Sequence, residues 1–131
     1  MTILLDTSAY SSLFKTELKV DLLLETATTI FMSPIVIGEL SHGYMKGSRY
    51  GENMRQLESF LSEKNVEVCE IGKDIAKIYS EIKYIQQGTG KNLAPNDLWI
   101  AASAASMGAK LVTLDRDFLR IEHRDFELII L

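Results

Sequence analysis

Cysteine occurs once in the 131 residues, and histidine and proline twice each. The single Cys69 cannot close an internal disulfide, and its setting "NVEVCEI" alternates like a strand, so the thiol is expected to pack and not to react. Two histidines and one cysteine, widely scattered, do not supply the nitrogen and sulfur ligands of a zinc site. No apolar run approaches the ~20 residues of a membrane span, so no membrane contact is expected. The N-terminus has no basic segment or signal-length apolar stretch, and a cytoplasmic protein is expected. Positive charge is also short. Lys and Arg number 14 against 18 Asp and Glu, a net charge of −4, which on its face disfavours nucleic acid. Two enzyme signatures are missing as well. "GTGK" has Ile85 where a phosphate-binding loop needs Gly and Asn92 where it needs Ser or Thr. Ser41 and His42, adjacent on a helix, cannot face each other, and there is no "GxSxG" elbow.

What is present is an ordinary globular composition, 47% hydrophobic and 24% charged, of a length that suits one domain over residues 1–131. Apolar runs suggest strands at "ILL", "TIFMS", "VEVCEI", "KLVTL" and "FELIIL". Between them lie helical patterns. "SAYSSLF" and "ELKVDLLLETA" come first, then a helix opened by Ser33 and Pro34. "ENMRQLESFLSEK" is expected to end near Asn65, and "DIAKIYSEIKYIQQ" to carry Ile75, Ile78, Tyr79, Ile82 and Ile85 on one face until Gly88 and Gly90 break it. Pro95 opens a last helix that stops at Gly108, and "DRDF" reads as a turn. Alternation of this kind predicts an α/β fold, a three-layer α/β/α arrangement around a mainly parallel sheet of four to five strands.

Four carboxylates stand where polar groups are least expected. Asp6 ends the apolar "ILL" and Asp115 follows "KLVTL", so in a parallel sheet both should reach the same rim. Glu39 lies three and four residues after Val36 and Ile35 and turns with them toward the interior. Asp97, beside Asn96, sits in the first turn of its helix. Each acid taken alone has an ordinary explanation as a cap or a favourable charge at a helix start. Together they would repel unless a cation neutralised them, and oxygen-only ligands suit Mg²⁺ or Mn²⁺. Such ions bind phosphate oxygens and activate water, which is what phosphodiester hydrolysis needs. Setting the four acids aside leaves the rest of the chain formally neutral. Lys15, Lys19, Lys46, Arg49 and Arg55 are then candidates to guide a phosphate backbone, each also explicable as part of a solvated helix face.

"LLDTSAY", "SPIVIGEL", "NDLWIAASA" and "LVTLDRDF", in that order over nearly the whole chain, resemble a PIN domain, in particular the ribonuclease toxins of VapC type from toxin–antitoxin pairs. The resemblance implies that Asp6, Glu39, Asp97 and Asp115 hold the metal, with Ser8, Asn96, Thr113 and Asp117 as accessory residues. It also implies an endoribonuclease whose substrate is RNA, with tRNA as a candidate, a homodimer, and a small antitoxin partner. "MRQLESFL" offers an apolar face for such an interface. Of the neighbouring acids, Asp115 is assigned to metal binding, and Asp117 to a supporting role as the cap of a short helix. Two other readings stand beside this one. A haloacid-dehalogenase-type phosphatase also begins with a strand ending in Asp, but Ser8 occupies the place of its second Asp. A PIN-like module could bind RNA or protein without cutting.

Overall fold

The computed structural model describes residues 1–15, 18–90 and 92–131, and only the backbone of residues 18–20. Lys91 of "GTGK" and the side chain of Lys19 lie outside the described residues. The chain begins with β1 (Thr2–Leu5), α1 (Thr7–Ser12), α2 (Leu18–Thr26) and β2 (Thr29–Met32). It continues through α3 (Pro34–Met45), α4 (Tyr50–Leu61), β3 (Val66–Val68) and α5 (Lys73–Thr89). It ends with α6 (Pro95–Ser106), β4 (Lys110–Thr113), a 3-10 helix (Arg116–Arg120) and β5 (Glu127–Ile130). The strands form one parallel sheet in the order β3-β2-β1-β4-β5, with helices on its faces.

That order follows from the hydrophobic pattern. Ile3, Leu4, Leu5, Leu111 and Val112 are fully buried, and strands covered on both faces read as unbroken apolar runs. The chain winds outward from β1 to β3 and then returns to the other side of β1 for β4. Leu5 pairs with Val112, and the Asp6 N–H donates to the Val112 carbonyl at 3.2 Å. The C-terminal ends of β1 and β4 thus meet where the winding reverses, the place at which open α/β sheets leave a crevice. Ala101, Ala102 and Ala104 of α6 are fully buried, and its Trp99 stacks on Tyr79 of α5 with ring centroids 4.0 Å apart.

Several boundaries differ from expectation. Helix α5 runs through Gly88 to Thr89 and stops at Gly90, whose φ of 69° is the left-handed conformation glycine adopts without strain. On the same helix Gln86 is buried and Ile85 is exposed. At 3.6 residues per turn Gln86 lies about 20° from the direction of Ile75, and Ile85 about 80° from it. Helix α4 ends at Leu61, short of Asn65. Its Leu57 is buried, and Met54, Phe60 and Leu61 pack half-buried against the core. The "DRDF" segment is not a bare turn but enters the 3-10 helix. Cys69 is buried just beyond β3, and burial pushes its thiol pKa up, as expected of a packed side chain. Among the described residues no helix is long and apolar enough to cross a membrane.

Candidate functional site

Asp6 is a buried carboxylate at the sheet rim, and three donors converge on it. Its Oδ1 accepts from Ser8 Oγ at 2.7 Å and from the Ala9 N–H at 2.8 Å, and its Oδ2 accepts from Thr113 Oγ1. The Ala9 contact makes Asp6 the N-cap of α1, so cap and candidate working group are one residue. Both hydroxyl protons are committed to Asp6, leaving the 3.3 Å Ser8–Thr113 approach a secondary contact. The same hydroxyls also accept. Ser8 Oγ receives the Leu114 N–H at 3.0 Å, and Thr113 Oγ1 receives the Asp115 N–H at 2.9 Å. The loops after β1 and β4 are thereby stapled together through two small hydroxyl side chains.

Burial is the largest influence on Asp6 and raises its pKa, opposed by the hydrogen bonds from Thr113, Ala9 and Ser8, with the charge of Asp115 raising it further. Glu39 arrives from α3, which Ser33 caps through the Ile35 N–H at 3.1 Å and Pro34 opens. Its Oε1 accepts from Thr7 Oγ1 at 2.8 Å. Asp97 comes from the first turn of α6, whose Pro95 is the first helical residue. Burial, and then the charges of Asp115, Glu39, Asp6 and Asp117, push its pKa up to about 6.

Asp6, Glu39, Asp97 and Asp115 line one cleft of about 280 Å³ together with Thr7, Ser8, Ser11 and Ile100. None of these eight is Lys or Arg. The donor set is all oxygen, carboxylate and hydroxyl, the chemistry that suits a hard divalent cation. Among the described residues, no three His, Cys, Asp or Glu side chains are already gathered as a set that could hold a metal ion.

The other expected residues divide. Ser8 and Thr113 are at the centre of the network, whereas Asn96 lies outside the cleft in a neighbouring groove. The assignment of the cap to Asp117 is corrected. Asp115 is the N-cap of the 3-10 helix, accepting from the Asp117 N–H at 2.9 Å, because the chain leaves β4 extended and turns only after Asp115. Asp117 is exposed and lies 3.8 Å from the Arg120 guanidinium. Arg49 forks onto Glu52, with Nε at 2.8 Å, so its charge is matched locally, while Lys15, Lys46 and Arg55 are exposed. Thr7 was absent from the expected set. Its one sequence signal is the hydroxyl directly after Asp6, but only the packing of α1 against α3 shows that it reaches Glu39.

Comparison with known proteins bears on the family and the fold. A family model for the PIN domain matches residues 3–124. Ribonuclease VapC5 of Mycobacterium tuberculosis is 27% identical over 96 residues, covering 73% of this chain and 68% of the relative. Among solved structures, VapBC2 from Rickettsia felis, bound to a DNA fragment from its promoter, superposes with a TM-score of 0.82 at 28% identity, covering 99% of this chain and 98% of the other. VapBC-1 from nontypeable Haemophilus influenzae does so with a TM-score of 0.82 at 26% identity and the same coverage. The match runs from β1 to beyond the 3-10 helix, over an architecture shared along almost the whole chain, and the chain belongs to the PIN domain family.

Proposed function

We propose that this protein is a ribonuclease toxin of VapC type that hydrolyses RNA phosphodiester bonds with Mg²⁺ or Mn²⁺, and that a small antitoxin holds it in check. The observation that carries the reading is the cleft at the sheet's switch point, where β1, β4, α3 and α6 bring four carboxylates together, with no Lys or Arg among the described residues that line it. The name of the VapC5 relative and the VapBC complexes among the similar structures support the activity and the antitoxin. The family match displaces the phosphatase reading.

In this reading Asp6, Glu39, Asp97 and Asp115 hold the cation. Bound there, it polarises a phosphoryl oxygen and makes water a nucleophile at neutral pH. Each residue's contribution follows from its contacts. A carboxylate has about four lone-pair sites, and three on Asp6 are filled from within, so it offers a single contact outward. Thr7 fixes one oxygen of Glu39 and leaves the other free to turn toward the cleft. Thr113 joins Asp6 to the Asp115 backbone, keeping the two strand ends in register during turnover. No histidine lines the cleft to act as a base, so the expected products carry 5′-phosphate and 3′-hydroxyl ends.

The test is cleavage of RNA by the purified protein with Mg²⁺ or Mn²⁺ and in excess EDTA. Cleavage only with metal is expected, whereas cleavage that continues unchanged in EDTA, or none under any condition, overturns the proposal. The second result would favour the non-cutting binding module. Asp117, turned toward Arg120, is proposed to support Asp115 without touching the metal. Asp117→Asn should therefore weaken metal affinity by no more than the roughly 10–100-fold typical of supporting residues. Complete loss of metal binding in that variant would assign it a direct contact.

The partner reading extends to self-association. A homodimer interface would use the half-buried apolar face of α4, Met54, Phe60 and Leu61, or exposed apolar residues such as Tyr84, Met45 or Leu119. Sedimentation of the free protein at micromolar concentration distinguishes dimer from monomer. A monomer throughout would remove that part of the proposal.

A further inference from the structure

Beside the acidic cleft, Pro34, Ile35, Gly38, Glu39, His42 and Asn96 line a groove of about 340 Å³. Glu39 belongs to both, so the groove continues the cleft past its α3 wall. We propose that this groove receives the base of the nucleotide adjoining the scissile phosphodiester, an inference that rests on the ribonuclease reading and deepens it.

Its chemistry suits a base better than a phosphate. Among the described residues no Lys or Arg lines the groove, so it presents no fixed positive charge to attract a phosphate. Pro34 and Ile35 offer an apolar surface for the face of a base, and the exposed His42 ring offers a stacking partner. The Asn96 side chain carries both a donor and an acceptor, the pair needed to read a base edge.

Gly38 supplies an independent argument. Glycine is among the poorest residues for a helix interior, yet Gly38 sits in the middle of α3. A Cβ built there meets nothing within 4 Å, so no packing of the fold demands glycine. Its effect is to leave room in the groove. Gly43, in the same helix, is equally open by that measure but is not among the residues lining the groove. The two glycines therefore form an internal control.

The test compares wild type, Gly38→Ala, Gly43→Ala and Asn96→Ala. Their affinity for a fluorescein-labelled oligoribonucleotide is measured with Ca²⁺ in place of Mg²⁺, and their base preference around the cut with Mg²⁺. Both alanine-for-glycine variants should melt no lower than wild type, because alanine favours the helix. Gly38→Ala should nevertheless bind RNA about fivefold more weakly or worse, the lower end of what losing one stacked base produces, while Gly43→Ala binds as wild type does. Asn96→Ala should relax base preference at one position next to the cut. Wild-type affinity and preference in both Gly38→Ala and Asn96→Ala overturn the inference while leaving the ribonuclease reading intact. Unaltered RNA behaviour combined with lost binding of a co-expressed small protein also overturns it, in favour of a protein occupant. A wild-type protein that neither binds nor cuts RNA removes the ribonuclease reading and this inference with it.

Discussion

Asp6→Asn is expected to abolish RNA cleavage, by at least the ~100-fold upper range for merely supporting residues, while the metal-free protein melts higher than wild type. Loss of function with gain of stability follows from the environment of this residue. Burial outweighs the three hydrogen bonds that favour the carboxylate, and the pKa rises above its ordinary value. A folded-state pKa above the unfolded one means that the folded protein binds the proton more readily, so stability falls as pH rises through the folded value. Ionising Asp6 in the folded protein therefore costs stability, a cost that asparagine removes. The network can absorb the change. The Asn Oδ1 keeps Ser8 and the Ala9 N–H, the new amide can donate to Thr113 Oγ1, and the Thr113 proton can turn to Ser8 Oγ, 3.3 Å away. Melting in EDTA and cleavage with Mn²⁺ read the two effects separately. A variant that melts well below wild type would show that the carboxylate itself holds the rim together.

Asp97 should set the acid limb of activity. Its pKa of about 6 arises first from burial and then from the charges of Asp115, Glu39, Asp6 and Asp117. A cation must displace that proton, so metal affinity should fall as pH drops below about 6, up to about tenfold per unit for one competing proton. The metal-free protein should behave oppositely. Between the ordinary aspartate value of 3.8 and about 6 the folded state holds a proton that the unfolded chain has lost, so stability increases as pH falls through that window. Asp97→Asn should abolish cleavage and remove the part of the stability dependence that Asp97 contributes, leaving that of Asp6. Wild-type metal binding that stays level from pH 7.5 to 5 would contradict the coupling of these carboxylates.

The rim positions of Asp6 and Asp115 were legible because each ends a short apolar run, and runs buried on both faces belong to parallel strands. Ser33 with Pro34, and Pro95, marked the helices that carry Glu39 and Asp97. Which of Asp115 and Asp117 caps the 3-10 helix was not legible. Either acid can cap a short helix, and the choice depends on where the chain turns after β4. Thr7 and the groove beside Glu39 were hidden for a related reason, since both depend on how α3 packs against α1 and α6. Ile85 and Gln86 show the limit of counting apolar residues, because the accumulated rotation of α5 buries the polar one. Glycine was read as punctuation. That held at Gly90, where φ is positive, and failed at Gly88, inside the helix.

Titration of the metal-free protein with Mn²⁺ at pH 7.5, followed by calorimetry, tests most directly whether the four carboxylates act as one metal site. Wild type should show saturable binding that Asp6→Asn, Glu39→Gln, Asp97→Asn and Asp115→Asn each weaken severely, while Asp117→Asn remains within the roughly 100-fold range of a supporting residue. Undiminished Mn²⁺ binding in two or more of the four cleft variants would contradict it.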